Sequence, residues 1–525
     1  MSNLNKTLTF VGVAAVLTGA AAWSRMPSTR SPAAFNDQGQ KFFPDFIDPM
    51  SAKVLEVIAV DESTGRKSPF QVVQDKDGRW RIPSHNDYPA DAKDRLGKTA
   101  GGVIDLAKDT IRSDDPAEHP ALGVVDPEDK AAISLKGMGQ RVTLRKSAGG
   151  EVLADFIIGK AIPNKPGYRY VRVPGQKRTY GVKVDVDLSA RFADWIETNL
   201  LKLESSRLRA ATFNHNHVDP IERMVVPGDI LPIRRPDGTT PWTTVGLAAE
   251  QELDPEKLST FTSAISDLKI IGIRPKPKNL VDALKSSTAR DLFGIVDASA
   301  VKAIDPRSQQ VIPLSAGFYL FQGVGLLPSQ AAVQAQTDQG IVYTLYFGEA
   351  TYAQGEALTA GDVNEAAEPA KKKDAKGKDE TPDPSTESRY LFATAKFDPS
   401  LLTAPRPSKY DRVGELPVDV FAKSGKERDA AMKTETDRVD RDREEYDRKV
   451  KEGKELADEL SARFAAWYYV VPGDALKKVI LDRAELVRAK GAKPPSTPPG
   501  GGFPEGLGLP PGMTFPGGST PPGHP

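Results

Sequence analysis

The sequence predicts an α+β fold of two related antiparallel sheet-plus-helix units, an N-terminal membrane segment, C-terminal charged helices and a disordered Pro/Gly tail. Three observations carry this. A glycine-centred strand pair occurs twice: Asp155 to Lys160 returning through Tyr168 to Val173, and Thr344 to Glu349 returning through Ser388 to Ala393. A turn, a tryptophan and then a helix start also occur twice, as Asp77-Gly78, Trp80 and Ala90-Asp91, and as Asp237-Gly238, Trp242 and Asp254-Pro255. Both ends of the chain depart from globular composition.

With 525 residues, one core does not suffice, and two or three domains are expected. Lys plus Arg number 71 and Asp plus Glu also 71, so no global field draws nucleic acid or acidic lipid. Cysteine is absent, which removes disulfides, thiolate metal sites and cysteine nucleophiles together.

At the N-terminus Lys6 precedes an apolar run from Leu8 to Trp23, broken only by Thr9, Gly12, Thr18 and Gly19. That run is short against the roughly 20 residues needed to cross about 30 Å of hydrocarbon. It suits a short signal anchor first, then, given Ala20-Ala21-Ala22, a cleaved signal peptide, and last a buried core helix. Residues 1–26 are thus expected as leader and 27–50 as tether. The expected location is the cell membrane, single-pass, with the bulk of the chain extracytoplasmic; the alternative is secretion after cleavage.

The first unit is expected over 51–205. Lys53 to Val60 and Phe70 to Gln74 read as strands, and Asp75 to Gly78 turns into Arg79-Trp80-Arg81-Ile82. Tyr88 to Asp91 opens a helix whose inner face carries Leu96, Ala100, Val103, Ile104 and Ala107. Ala132 to Leu135, Arg141 to Leu144 and Val152 to Ile158 read as further strands, and Leu188 to Leu201 as an amphipathic helix.

The second unit is expected over 206–400. Ile221 to Ile233 is strand-rich, Pro236-Asp237-Gly238 turns into Trp242 to Val245, and Leu253 to Glu256 starts a helix through Leu258, Phe261, Ile265 and Leu268. The insert 354–388, with Lys371 to Glu380 at its centre, is too polar to recover its ordering entropy by burial. A helical segment follows over 416–490, where Met432, Val439 and Tyr446 keep a seven-residue spacing suited to a coiled coil or to packing on its own domain. Phe464 to Val471 reads as buried or interface material, and 491–525 as a polyproline-rich tail.

Reactive chemistry is sparse. Gly97-Lys98-Thr99 lacks the Gly five positions earlier that a phosphate loop needs, because position 92 is Ala. His215 and His217 would share a metal only if acidic residues such as Asp219 or Glu222 joined them. No catalytic residue, cofactor site or metal site is expected. Tyr168, Tyr170 and Arg172 form a basic-aromatic strand that suits glycan stacking or cross-strand ion pairs with Asp155, Glu151 or Asp185, and Trp467 and Tyr468 are candidates for a partner surface.

The ordered set Asp77-Gly78-Arg79-Trp80, Pro89-Ala90-Asp91, Leu122-Gly123-Val124 before Asp126-Pro127, Phe156 to Gly159, and Tyr168 to Arg172 resembles the DUF4340 family. The resemblance covers roughly residues 50–280, more weakly to 400. It implies an N-terminal membrane segment and repeated sheet-plus-helix units, in a family of which some members occur beside ABC-type export and gliding-motility auxiliary components. It supplies no catalytic residues. The expected function is a non-enzymatic membrane-anchored envelope scaffold or accessory subunit, with a protein partner and no nucleic acid. A cell-wall or glycan-binding module and a cryptic hydrolase are the alternatives.

Overall fold

A computed structural model describes residues 37–61, 66–130, 134–186, 188–222, 224–285, 294, 311–321, 324–361, 387–409 and 424–491. The leader, the first part of the tether, the centre of the insert and the tail from 492 lie outside them. Among the described residues no helix is long and apolar enough to cross a membrane.

The first unit runs β1 (Val54–Asp61), β2 (Arg66–Gln74), β3 (Trp80–Ile82), β4 (Tyr88–Pro89), α1 (Lys93–Ile104), β5 (Thr110–Ser113), β6 (Gln140–Arg145), β7 (Val152–Ala161), β8 (Tyr168–Arg172) and β9 (Thr179–Lys183). Asp75 closes the β2–β3 turn by accepting the Asp77 and Arg79 amides at 2.9 Å, and Gly78 supplies the positive φ of 79°. The strands form one antiparallel sheet in the order β4-β3-β2-β1-β6-β7-β8-β9-β5. Alternation sends Leu55, Val57, Val142 and Phe156 inward with Leu96, Ala100 and Val103 of α1. The outer face carries ion pairs instead, among them Arg145 with Glu56 and Arg141 with Asp155.

The second unit runs β10 (Leu208–Asn214), β11 (His217–Val218), β12 (Val225–Val226), β13 (Ile230–Arg234), β14 (Thr243–Thr244), β15 (Gln251–Leu253), α2 (Pro255–Ser266), β16 (Gly272–Pro275) and α3 (Lys278–Lys285). It continues through β17 (Val311–Leu314), β18 (Phe318–Phe321), β19 (Gly325–Pro328), β20 (Ala331–Thr337), β21 (Ile341–Thr351), α4 (Glu356–Ala360) and β22 (Ser388–Phe397). Last come α5 (Gly425–Ala465), β23 (Trp467–Pro472), α6 (Asp474–Val479) and β24 (Val487–Ala489). Its main sheet has the order β14-β13-β10-β20-β21-β22-β23-β16. With β10, β13, β14, β16, β20, β21, β22 and β23 matched to β1, β2, β3, β5, β6, β7, β8 and β9, both sheets have the same order. The helices α1 and α2 occupy the same place in that sequence.

The glycine pair marks the same bulge in both sheets. The β7–β8 register shifts between Ile158 and Ala161, leaving Gly159 and Lys160 against Tyr170. The β21–β22 register shifts between Phe347 and Ala350, leaving Gly348 and Glu349 against Tyr390. Each glycine lies where another backbone segment crosses the strand. A Cβ on Gly159 would stand 2.5 Å from the Leu122 carbonyl oxygen, and one on Gly348 would overlap the carbonyl of Ala316.

Several expectations are corrected. Leu188 to Leu201 is not an amphipathic helix but an irregular strap with one short turn at Phe192–Trp195. Its backbone bonds are spent elsewhere: the Asp91 amide donates to Trp195, Leu200 to Leu268, and Ile270 to Thr198. The Ser189 hydroxyl also accepts the Arg191 amide, a local turn that competes with a helix. Tyr88–Pro89 is an edge strand on β3, so α1 begins at Lys93 rather than at Pro89-Ala90-Asp91. Ser134 and Leu135 form no strand, and Ala132 and Ile133 lie outside the described residues. The span 416–490 is not helical throughout, because β23 enters the second sheet between β22 and β16. The helix α5 is therefore an excursion between two adjacent strands, 41 residues or about 62 Å long. Its N-terminus is a capping box of Ser424 and Glu427. Its C-terminal part buries Ala457, Leu460 and Phe464, and Gly453 lets it cross close to the Phe397 ring and the Gln339 carbonyl. One hydrophobic core runs through both units, and a second covers the opposite face of the second sheet with Phe318, Tyr346, Phe392 and Tyr468.

Candidate functional site

The residues singled out in the sequence are mostly spent on structure. Arg172 is buried, donating to the carbonyls of Val124 at 2.9 Å and Gln176 at 3.0 Å. Arg169 likewise donates twice to Gly159 O. The carboxylates expected to pair with this strand turn elsewhere: Asp155 takes Arg141 and Glu151 takes Lys146. Tyr170 packs over Leu122, Val124 and Ile157, and Tyr168 stacks with Lys165 at 5.2 Å. Tyr468 is fully buried against Phe318 and Phe392 and presents nothing to a partner.

Trp467 lies at a cleft of about 380 Å³ between the two units, edge-on to Tyr88. Asp91, Glu197, Lys202 and Arg463 bring charge to it. These charges hold the junction together: Arg463 donates to the carbonyls of Glu197 and Asn199 at 2.9 Å, and Lys202 pairs with Glu459 at 3.3 Å. Burial pushes the Tyr88 phenol up, with Arg463 opposing it. Nearby, His85 stacks on Phe192 and meets Thr359 of α4 at 3.0 Å, and burial pushes its imidazole down to about 4.

His215 and His217 do not act as a ligand pair. His215 Nε2 faces Leu481 O and Asp482, while His217 Nδ1 turns back to His215 O at 2.9 Å. Among the described residues no group of three or more His, Asp or Glu is placed to hold a metal ion.

Another site was only indirectly marked in the sequence, by Trp242. It is a groove of about 890 Å³ between β14, β15 and α2. Trp242, Leu247, Leu253 and Leu258 supply its apolar wall, and Thr243, Ser259, Thr262 and Gln251 supply polar groups. Trp242 is half-buried and stacks on the Arg235 guanidinium at 4.8 Å. That guanidinium is anchored by bonds to the carbonyls of Leu208, Gly238 and Ser205, which makes the indole platform rigid. Val245, 73% exposed, lies in the next loop, where Arg483 ties the carbonyls of Val245 and Gly246.

The first unit closes the corresponding place. There β4 pairs with β3, and Pro49 and Met50 of the turn Pro49–Ser51 line, with Trp80 and Leu96, a cavity of only about 50 Å³. In the second unit β15 pairs with β24 instead of with β14, and the turn before β10 is Ser205–Arg207, which brings no apolar residue. The signal that marks the groove is this difference between copies, visible only once they are superposed by strand order.

No curated protein and no solved structure matches this chain. A family comparison does succeed. Residues 80–285, from the first residue of β3 to the last of α3, match the family described as "Domain of unknown function (DUF4340)", so the resemblance read from the motifs holds and the chain carries a DUF4340 domain.

Proposed function

We propose that this protein is a non-enzymatic, membrane-anchored envelope scaffold that holds a protein partner through the groove beside Trp242. In this reading it is an accessory subunit of a membrane complex of the ABC-transporter type, single-pass, with the folded mass extracytoplasmic. Its two units descend from one duplicated sheet-plus-helix element, of which the first became a closed support and the second kept an open binding face. The observation that carries the reading is the groove itself: a rigid aromatic platform on an apolar wall, with polar groups alongside, opposite a closed counterpart. That combination suits an extended peptide segment, since large rigid aromatics in a groove contribute most of the energy at such interfaces. The charged outer surface of α5 offers a second, weaker contact area.

The glycan alternative draws less support, because Arg169 and Arg172 on the Tyr/Arg strand are bonded to carbonyls. The test is recovery of the intact chain from solubilised membranes. A stoichiometric partner is expected with the native chain, and a loss of about tenfold or more with Trp242→Ala. Ser259→Arg, at an exposed helix position on the groove, should do the same without removing an aromatic. Recovery of the native chain alone, or equal recovery from all three, contradicts the proposal.

A further inference from the structure

We infer that the groove beside Trp242 is the docking site of the chain's own segment 492–525, which covers it in cis until a partner displaces it. This rests on the groove being a peptide site, as proposed above.

Three observations point to this occupant. The first is where the segment departs. Strand β24 ends at Ala489, the Lys490 amide donates to Glu250 O at 2.8 Å, and Lys490 itself lines the groove. The last described residue is Gly491, so residues 492 onward leave from the rim. The five steps from Gly491 to Ser496 span at most about 18 Å, enough to lay the first prolines along the wall.

The second is composition. Pro494-Pro495 and Pro498-Pro499 favour polyproline II, whose carbonyls find no donors within the segment. An aromatic platform beside hydroxyl and amide groups is the usual receptor for such a strand, and here Trp242 is accompanied by Thr243, Ser259 and Gln251. Lys493 carries the only charge before Glu505, so the bulk of the approaching chain brings little to desolvate.

The third is the first unit, where the equivalent tryptophan already adjoins proline-bearing pieces of its own chain. Pro49 and Met50 line a small cavity together with Trp80, and Tyr88–Pro89 completes the sheet edge. Among the described residues the second unit has neither feature at its groove, and a proline-rich segment of the same chain begins beside it.

The absence of cysteine gives a clean test in the intact chain. With Ser259→Cys and Ser496→Cys as the only thiols, mild oxidation is expected to form an intramolecular disulfide, located by peptide mass. The control pair moves the helix thiol to Thr260, which is exposed and does not line the groove. Cross-linking through position 259 severalfold above 260 is the expected result. Replacing Pro494, Pro495, Pro498 and Pro499 by Ala in the full chain should abolish that difference and raise partner recovery. Equal cross-linking at 259 and 260, or recovery unchanged by the proline replacements, overturns cis docking. If Trp242→Ala still abolishes partner recovery in that case, the groove remains a partner site and only its occupancy by the tail is refuted.

Discussion

Gly348→Val is expected to lower folding stability by about 3 kcal/mol, and Gly159→Val by a comparable amount, because each introduces a side chain where backbone already stands. At Gly348 the first added carbon meets the Ala316 carbonyl and stands 2.8 Å from the Phe318 ring. At Gly159 it meets the Leu122 and Gly123 carbonyls and stands 2.6 Å from Val124 Cγ1. Neither neighbour is a flexible side-chain tip, so the crossing segment itself must move. Gly97→Ala is the control: that glycine is inside α1 with nothing within 4 Å of the added carbon. It should gain about 0.5–1 kcal/mol from helix propensity. Urea unfolding of the three variants measures all of this. Loss at the two bulges with gain at position 97 supports equivalent packing in both sheets; a neutral Gly348→Val contradicts it.

Lys276→Met is expected to stabilise the protein at neutral pH by about 1–3 kcal/mol. Lys276 follows β16, is 5% exposed, and donates to Phe464 O at 2.9 Å with its ammonium 3.7 Å from the Phe392 ring centre. Among the described residues no carboxylate pairs with it. Burial drives its pKa well below the usual lysine value of 10.5. The unfolded chain therefore binds more protons than the folded one between the lowered value and 10.5, so native stability rises with pH across that window. Above pH 10 the buried tyrosines reverse the trend, because burial keeps Tyr343, Tyr346, Tyr468 and Tyr469 protonated in the fold. Between pH 7 and 10, Lys276→Met should flatten the slope as well as raise the curve. A destabilised variant with unchanged slope would show that the ammonium is well accommodated.

Local features of the fold were legible wherever a short segment decides its own structure. The Asp75–Gly78 turn, the strands on both sides of Gly159 and Gly348, and helix α2 behind its Asp254 cap follow from residue type and spacing. What was illegible depends on partners far away in sequence. Residues 188–201 have helical spacing, yet the strap bonds to Asp91, Leu268 and Ile270 instead. Phe464 to Val471 read as buried or interface material, but nothing local says that Trp467 to Val471 pairs with β22 and β16 across a 41-residue helix. The groove was less legible still. Trp80 and Trp242 look alike in sequence, and the difference lies in what adjoins them: Pro49 and Met50 share a small cavity with one, and among the described residues no equivalent turn lines the groove beside the other. The Tyr/Arg strand misled for the opposite reason, since arginines that suggest a ligand surface satisfy carbonyls exposed by a bulge and a crossing loop.

The central claim is that the open groove of the second unit is where this protein engages a peptide chain. The most direct measurement places a photoreactive benzoylphenylalanine at position 242 of the intact chain, with the same residue at exposed Met432 on α5 for comparison. The account predicts a discrete adduct from position 242, joined either to a partner polypeptide or to residues 492–525, at a yield well above that from position 432. Diffuse labelling from position 242, no stronger than from position 432, would contradict it.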